Sequence, residues 1–514
     1  MAGPSLSAGD PAFGLGPGLW AGTRRPIAFA SVRSFAEHLD TPSGRGALVG
    51  APYTGAAGGA ACGDVVRIGL RIEGEVVAEA GFEAEGCGAV TAACSAVVEL
   101  VEGGTFLEAA RVGPDEIARN LGGLVPPKRH AAELAADALH RALGAAVKDG
   151  ASGREGAPRV APSTRRTLVA MSGGVDSAAA AQLALDAGDE VVAVTLELWA
   201  DPATDGEKSC CSPQAVTGAR HLAQGMGIPH LTLDLRERFR AEVVDRFLDG
   251  YAAGRTPNPC VRCNGEVRFD AMLELADALG AARLATGHYA RIARDEHGPL
   301  VRAAADPAKD QSYMLAKLDP ALLDRLSFPL GGLTKDAVRQ LARDAGLPVA
   351  DKRESQDLCF VAVLGGRAFL QRHGGPRLRR PGEIVDRQGR VLGRHEGHHN
   401  YTVGQRRGLG IATPEPLYVL EKDAASNRVV VGPKQELATR TVLLEDTTLH
   451  RSASEVEQVR LRYHAKPIAC RALEQGGRVL LELESDAHAV APGQLACLMR
   501  QDRVVGEGTI GEST

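Results

Sequence analysis

The chain has 514 residues, which is too long for one ordinary hydrophobic core and predicts two to four domains. Its composition, 44% hydrophobic and 24% charged, is that of a globular protein and excludes a chain that is disordered throughout. The formal net charge of −5 gives no sign of nucleic-acid binding, so any contact with RNA has to come from a local basic surface.

The chain shows no sign of a membrane or secretory protein. It has no run of about 18 apolar residues, and it lacks the basic start and apolar core of a signal peptide. We therefore expect a cytoplasmic protein with no membrane partner. Its ten cysteines stand singly or in short clusters, which favours reactive or metal-binding thiols over a disulfide framework.

The N-terminal third divides into three parts. Residues 1–45 are rich in Gly, Pro, Ala and Ser without periodicity, which predicts a disordered N-terminus. Residues 46–148 predict a small α+β domain, and residues 149–166 read as a Gly-, Ser-, Pro- and Arg-rich linker. The predicted elements of the small domain are two strands and two helices: Val65–Ile72, Val76–Phe82, Val90–Val101 and Arg129–Val147.

Four residues of this small domain form a candidate set of metal ligands. A set of two cysteines, one aspartate and one histidine fits a metal or cluster site with mixed ligands. The set is Cys62, Asp64, Cys87 and His130.

Residues 167–364 alternate strands and helices, which predicts an α/β domain with a doubly wound parallel sheet. The strand Leu168–Ala170 is followed, after Met171, by Ser-Gly-Gly-Val-Asp-Ser, residues 172–177, and then by a helix. Glycines allow close approach of backbone to phosphate, and a helix N-terminus offers unpaired N–H groups. Asp176 suits such a loop only if it caps the helix or if Mg²⁺ bridges it to phosphate.

A second motif, residues 254–264, contains Thr256-Pro-Asn-Pro and a C-x-x-C pair. Its prolines predict an extended turn before a helix. Cys263 then lies near the start of that helix beside Arg262, a setting that favours the thiolate. The pair alone fits redox chemistry, half a metal site or two unrelated core thiols. Cys359 is a third thiol, and Cys210-Cys211 is a loop pair of unknown role.

The C-terminal part begins with a basic segment, 365–418, which predicts a small central domain. Ten arginines there face few acids, which fits a solvated surface or a grip on RNA phosphates: Arg367, Arg372, Arg377, Arg379, Arg380, Arg387, Arg390, Arg394, Arg406 and Arg407. His395, His398 and His399 fit either a metal site or surface residues near RNA, and we expect the latter because no cysteine lies nearby. From 419 to 514, short strands alternate with turns and predict a β-barrel.

These motifs carry a family resemblance. The octet Ala170–Ser177 resembles the pyrophosphate loop of the N-type ATP pyrophosphatases. With residues 256–264, Ala285–Tyr289, Lys309–Tyr313 and Thr402–Gly410, it resembles the bacterial tRNA-specific 2-thiouridylases, the MnmA family. The match runs in order from about Thr167 to the C-terminus.

The resemblance implies an ATP-using tRNA-uridine 2-sulfurtransferase. ATP, with Mg²⁺, would adenylate the C2 oxygen of the wobble uridine in the Lys, Glu and Gln tRNAs. A persulfide would then give 2-thiouridine, AMP and pyrophosphate, leaving a disulfide for reduction. A cysteine desulfurase or sulfur-relay protein would be the donor.

The resemblance also assigns roles to single residues. Cys263 would be the nucleophile and Cys359 would carry the persulfide. The ATP site would comprise Ala170, Met171, Ser172, Gly173, Gly174, Val175, Asp176, Ser177, Leu196 and Gly287. The tRNA contacts would be Asn258, Pro259 and Cys260 around the base, with His288, Lys309, Asp310, Gln311, Arg462, Tyr463 and Gln494. An alternative is an iron–sulfur cluster on Cys260, Cys263 and Cys359.

Residues 46–148 resemble the NifU/IscU-like iron–sulfur scaffolds. That family has a third cysteine directly after the histidine, where this chain has Ala131. The third thiolate ligand of that family, also its sulfur acceptor, is therefore missing. Several roles of this domain remain open. It can bind a metal, dock a cysteine desulfurase, or supply sulfur or a cluster in cis. It can also be a degenerate domain that keeps only the fold.

Overall fold

A computed structural model of the chain describes residues 33–46, 48–58, 63–151, 157–199, 213–353, 358–361 and 364–512. Cys62, Cys210 and Cys211 lie outside these ranges. Within them, no helix combines the length and apolar character needed to cross a bilayer. The α/β class predicted from the sequence is confirmed.

The N-terminal unit, residues 33–151, is an antiparallel three-stranded sheet covered by helices. Its elements are α1 (Phe35–Asp40), β1 (Tyr53–Gly58), β2 (Val65–Glu73), β3 (Val76–Glu85), α2 (Gly88–Val101), α3 (Phe106–Ala109), α4 (Pro114–Asn120) and α5 (Arg129–Ala151). Helix α1 lies inside the stretch predicted to be disordered. A capping box forms it, because the Ser34 hydroxyl accepts from the Glu37 amide and the Glu37 carboxylate accepts from the Ser34 amide.

The predicted linker is shorter in the structure. Helix α5 continues to Ala151, and the next strand already begins at Ser163. The Arg159 amide donates to the Gly74 carbonyl at 3.2 Å, and the Ser163 amide donates to the Gly280 carbonyl at 2.9 Å. These bonds tie the connection to both neighbouring units.

The second unit contains a five-stranded parallel sheet. Its elements up to the sheet's last strand are β4 (Ser163–Ala170), α6 (Val175–Asp186), β5 (Glu190–Glu197), α7 (Pro213–Gly225), β6 (His230–Asp234), α8 (Arg236–Phe239), α9 (Arg246–Ala252), α10 (Pro259–Cys263), α11 (Phe269–Ala278), β7 (Ala281–Thr286), β8 (Ala290–Asp295), β9 (Gly298–Ala303) and β10 (Leu326–Ser327). Helices α12 (Lys335–Asp344) and α13 (Gly366–His373) follow.

The strand order β10-β7-β4-β5-β6 contains the switch point of the sheet. The chain steps from β4 outward to β5 and β6, then returns to the other side of β4 with β7. In open parallel sheets, ligands bind at the carboxyl ends of the strands where this reversal occurs. Here that point lies between Ala170 and Thr286, which are paired in register.

A four-stranded sheet and a barrel complete the chain. The sheet has the order β12-β11-β14-β13 and consists of β11 (Gly382–Val385), β12 (Val391–His395), β13 (Tyr418–Asp423) and β14 (Arg428–Gly432). The predicted boundary between 418 and 419 therefore falls inside this sheet, since β14 pairs with both β11 and β13.

Six strands close the barrel because β15 pairs with both β18 and β20. They are β15 (Ala438–Leu449), β16 (Gln458–Arg460), β17 (Ile468–Gln475), β18 (Arg478–His488), β19 (Leu495–Arg500) and β20 (Arg503–Ile510). The hairpin β8–β9 extends the barrel sheet through β20, so the second unit and the barrel share hydrogen bonds.

Helix α5 joins the N-terminal unit to the edge strand β6 of the parallel sheet. The approach is so close that a Cβ at Gly144 would lie 2.1 Å from the Thr232 carbonyl oxygen. The His230 amide donates to the Ala110 carbonyl at 2.9 Å. Arg220 of α7, only 1% exposed, donates to Asp137 of α5 at 2.9 Å. One continuous core therefore spans both units.

Candidate functional site

The predicted phosphate loop forms the turn between β4 and α6. Gly173 has φ +70°, a conformation that glycine adopts without strain. The Ser172 amide donates to the Ser177 hydroxyl at 3.1 Å, and that hydroxyl donates to the Gly174 carbonyl at 3.1 Å. Helix α6 begins at Val175, so the loop lies at a helix N-terminus and at the switch point of the sheet.

Gly287 fits the predicted ATP site for a steric reason. A Cβ at this position would lie 2.8 Å from the Asp176 carbonyl carbon and 2.8 Å from the Ser177 nitrogen. Only glycine allows the chain leaving β7 to pass this close to the loop. Leu196, near the carboxyl end of β5, lies at the same edge of the sheet.

Asp176 is neutralised within the chain. The ammonium of Lys335 donates to both of its carboxylate oxygens, at 2.7 and 2.8 Å, and the Tyr289 hydroxyl donates to one of them at 2.8 Å. Helix capping, one predicted role of Asp176, is wrong because Gly174 occupies the N-cap. Lys352 also reaches the loop and donates to the Gly173 carbonyl at 2.9 Å.

Sequence reasoning missed both lysines. The one signal was negative: residues 170–177 include no lysine, so cations have to come from other segments.

The C-x-x-C pair lies on α10, which Asn258 caps. Its side-chain oxygen accepts from the Cys260 amide at 3.1 Å, and Pro259 occupies the first helical position. Cys260 is thus the thiol in the first turn, and Cys263 ends α10 before a π-helical turn, Asn264–Arg268. Cys263 is 5% exposed, and Arg262 is engaged by Glu266 at 2.8 Å.

The three thiols are not gathered into one group of ligand atoms in this structure. Among the described residues, only Asp64, Cys87 and His130 bring three ligand atoms within 4.8 Å of one another. A cluster on Cys260, Cys263 and Cys359 therefore stays a prediction. No disulfide is present in the described part of the chain either. Cys359 packs beside the same apolar core that contains Cys263 and Phe360.

Packing connects the phosphate loop with the thiol helix. His288 follows Gly287, and its ring lies 5.8 Å from that of Phe269, the first residue of α11. Helix α11 continues from the turn after Cys263. Burial and, to a smaller extent, the charge of Arg268 lower the pKa of His288 to about 4, so the ring is neutral at pH 7.

Loops from the barrel surround the Thr256-Pro-Asn-Pro segment. The Gln494 side chain donates to the Thr256 carbonyl at 2.5 Å, and the Thr256 amide donates to the Pro492 carbonyl at 2.8 Å. Tyr463 lies beside Tyr313, with ring centroids 6.1 Å apart. Burial raises the pKa of Tyr463, and the charges of Asp310 and Cys260 raise it further.

Asp310 and Gln311, which are predicted to contact RNA, have side chains that bond within the chain. Asp310 is 5% exposed, and its carboxylate accepts from the Ala304 and Ser312 amides, the Ser312 hydroxyl and Arg460. The Gln311 side chain accepts from the Tyr289 amide at 2.9 Å. The structure thus uses both side chains internally, while Lys309 stays half-exposed.

The basic segment presents its charge outward. All ten of its arginines are exposed, and within the described residues Arg380, Arg394, Arg406 and Arg407 make no ion pair. The three histidines, by contrast, are buried, so the expectation of surface histidines is wrong. Burial, with the charges of His398 and Arg367, lowers the pKa of His399 to about 4.

The N-terminal unit carries the candidate metal centre. His130 Nε2 lies 3.3 Å from the Asp64 carboxylate, and its Nδ1 lies 2.9 Å from the Pro127 carbonyl, which orients the ring toward Asp64. Asp64 also accepts from the Cys87 amide at 3.2 Å. The side chain of Ala131 is fully buried. Cys62 lies outside the described residues.

Four family models match the chain in order. They are the NifU-like N terminal domain over residues 33–148, the tRNA methyl transferase HUP domain over 165–363, the tRNA methyl transferase PRC-barrel domain over 367–433 and the Aminomethyltransferase beta-barrel domain over 438–510.

Curated relatives match both parts of the chain. The bifunctional protein NifU/MnmA of Rubrobacter xylanophilus is 46% identical over 491 residues, which cover 92% of this chain and 97% of that protein. The tRNA-specific 2-thiouridylase MnmA of Acidithiobacillus ferrooxidans is 44% identical over 67% of this chain and 98% of its own length. The MnmA of Geobacter metallireducens is 46% identical over 67% and 96%.

Proposed function

The chain belongs to the tRNA-specific 2-thiouridylase family and carries a NifU-like domain in cis, and on this premise we propose how its residues perform the thiolation of the wobble uridine. The reaction uses ATP to activate the C2 oxygen and replaces that oxygen by sulfur. The observation that carries the proposal is the close approach of Gly287 to Asp176 and Ser177 at the switch point. The next residue, His288, packs on Phe269 at the start of α11, and this helix continues from the turn after Cys263. The nucleotide loop is connected to the thiol in this way.

The first step is adenylation. ATP enters with Mg²⁺ as the counter-ion of its phosphates, and the loop 172–177 binds the β- and γ-phosphates through backbone N–H groups and the hydroxyls of Ser172 and Ser177. The uridine C2 oxygen attacks the α-phosphorus, the bond to the β-phosphate oxygen breaks, and pyrophosphate leaves. The oxygen then departs as part of AMP, a far better leaving group than an oxo group.

The second step transfers sulfur. The terminal sulfur of a persulfide on Cys359 attacks C2 and AMP leaves, which links Cys359 to the base through a disulfide. The thiolate of Cys263 then attacks the sulfur of Cys359. The S–S bond to the base breaks, C2 keeps its sulfur as 2-thiouridine, and a Cys263–Cys359 disulfide remains for an external dithiol. A cysteine desulfurase or a relay protein supplies the persulfide.

Binding of tRNA places the base at the thiols. Exposed arginines of the basic segment contact phosphates, and the loop 256–260 with Tyr463 and Gln494 surrounds the flipped-out base. Tyr463 offers an aromatic face for stacking. Asp310 acts as a positioning residue. Its buried carboxylate pairs with Arg460 of the barrel and so fixes the position of the neighbouring Lys309.

The test uses the full chain with a persulfide donor and a dithiol. We expect AMP to form only with tRNA, and mass spectrometry to show sulfur in place of oxygen at the wobble uridine of Lys, Glu and Gln tRNAs. A tRNA without a wobble uridine serves as control. AMP release without tRNA would instead indicate a ligase for a small molecule, and no AMP at all would indicate an iron–sulfur carrier.

The N-terminal unit binds one divalent metal ion in this proposal. Asp64, Cys87 and His130 offer an oxygen, a sulfur and a nitrogen donor within 4.8 Å, a set that suits Zn²⁺. A side chain at Gly86 would strike Asp64, because a Cβ there would lie 2.1 Å from its carboxylate oxygen. Ala131 stands where the scaffold family has its third cysteine, so among the described residues Cys87 is the one thiol of this set.

We expect His130→Ala to weaken metal affinity by about tenfold or more, because it removes one ligand from a small set. Anaerobic purification, a metal count and an absorption spectrum measure the effect. Cys94→Ala is the matched control, since Cys94 is buried in α2 away from this set. Unchanged metal content in His130→Ala would remove His130 from the site.

A further inference from the structure

The phosphate loop has to hold a highly charged group without a cation of its own. ATP and pyrophosphate carry several negative charges, whereas residues 170–177 contribute only N–H groups, two hydroxyls and the negative Asp176. Other phosphate loops place a lysine within the loop to contact the β- and γ-phosphates. Charge balance therefore requires cations from outside the loop.

Lys335 cancels the charge of Asp176. It is 8% exposed, stands at the first position of α12, and bonds both carboxylate oxygens. The Tyr289 hydroxyl holds the same carboxylate, and the Tyr289 amide is fixed by Gln311. This arrangement leaves Asp176 neutralised, so that it does not repel an incoming phosphate.

Lys352 is differently placed. Its ammonium donates to the carbonyl of Gly173 at 2.9 Å, inside the turn itself. A carbonyl is neutral, and across the described residues Lys352 makes no ion pair with an acid. Its positive charge is thus held at the loop without compensation. A lysine ammonium has three donors on a flexible stem, so it can contact a phosphate oxygen by a small rotation.

We propose that Lys352 is a pyrophosphate-binding residue that supplies from outside the loop the cation that other phosphate loops carry within it. It contacts the β- and γ-phosphates of ATP and then the released pyrophosphate, while Lys335 positions Asp176. This assignment rests on the ATP-dependent function proposed above. It adds a residue of the segment that precedes Cys359 to the nucleotide site.

The assignment predicts a selective loss of affinity. In the full chain, Lys352→Ala should weaken the binding of magnesium pyrophosphate by about tenfold or more, since a charge-assisted contact is lost. The affinity for AMP, which lacks the β- and γ-phosphates, should stay within about twofold. Lys352→Arg keeps the charge and should recover most of the pyrophosphate affinity. Lys434→Ala, at an exposed lysine beside the barrel, is the control.

Isothermal titration calorimetry with magnesium pyrophosphate and with AMP measures both affinities. Pyrophosphate affinity that is unchanged in Lys352→Ala, or an equal loss for both ligands, overturns the assignment. Because the measurement needs neither tRNA nor a sulfur donor, it separates this assignment from the thiolation. A wild-type chain that binds pyrophosphate but never thiolates tRNA would refute the proposed function alone.

Discussion

Replacing Cys263 by alanine is expected to lower wobble-uridine thiolation on the order of a thousandfold, while the first turnover of pyrophosphate release continues. Adenylation and attack by the Cys359 persulfide do not need this thiol. Release of the product does, because Cys263 breaks the S–S bond to the base. The tRNA should therefore accumulate as an adduct on Cys359, which denaturing electrophoresis without reductant detects and a dithiol removes.

Two variants sharpen this test. Cys359→Ala should also lose thiolation, but without an adduct, because no persulfide forms. Cys94→Ala should keep full activity, since burial raises the pKa of that thiol to about 12 and keeps it unreactive. Normal thiolation in Cys263→Ala would remove Cys263 from the chemistry. An adduct that still forms in Cys359→Ala would indicate that Cys263 carries the persulfide and that Cys359 breaks the S–S bond.

The sequence predicts the phosphate loop well because its determinants are local. The glycines, serines and preceding strand lie within about ten residues, and backbone geometry follows from them. The cations of the same site were not predictable in this way. Lys335 and Lys352 lie 159 and 179 positions from their partners in the loop, so only the folded sheet brings them there.

Partners that are remote in the sequence can bury a polar side chain. The resemblance implies that Asp310 contacts RNA, and in the structure its carboxylate is buried and pairs with Arg460, 150 positions away. His398 was expected at the surface, but its ring lies 3.0 Å from the side-chain oxygen of Asn427. The ten arginines of the same segment are exposed as a long charged side chain predicts.

The prediction of domain boundaries was limited by a different effect, namely strand pairing between remote segments. Short strands with similar patterns occur on both sides of position 418, and only pairing assigns β13 and β14 to the central sheet. The small helix α1 depends on two hydrogen bonds between Ser34 and Glu37, a signal too short to outweigh the Gly- and Pro-rich sequence around it.

The contact between the N-terminal unit and the parallel sheet should be essential for stability. We expect Asp137→Ala to lower the free energy of unfolding by about 3 kcal/mol, because it leaves the charge of the buried Arg220 uncompensated. Burial disfavours the charged form of Asp137, but Arg220 and Arg141 outweigh it and lower the pKa of this carboxyl. The pair is therefore ionised at neutral pH, and chemical denaturation measures its loss.

A double variant distinguishes loss of the pair from loss of packing. Arg220→Met removes the buried charge and fills similar volume, so Asp137→Ala/Arg220→Met should recover most of the stability that Asp137→Ala loses. Asp486→Ala breaks an exposed pair with Arg440 in the barrel and should leave the denaturation midpoint unchanged. Hydrogen exchange along α5 and α7 should rise in Asp137→Ala and return in the double variant. If exchange in these two helices does not respond, the Asp137–Arg220 pair does not hold the N-terminal unit to the sheet, and the other contacts of α5 with β6 have to supply the stability of this interface.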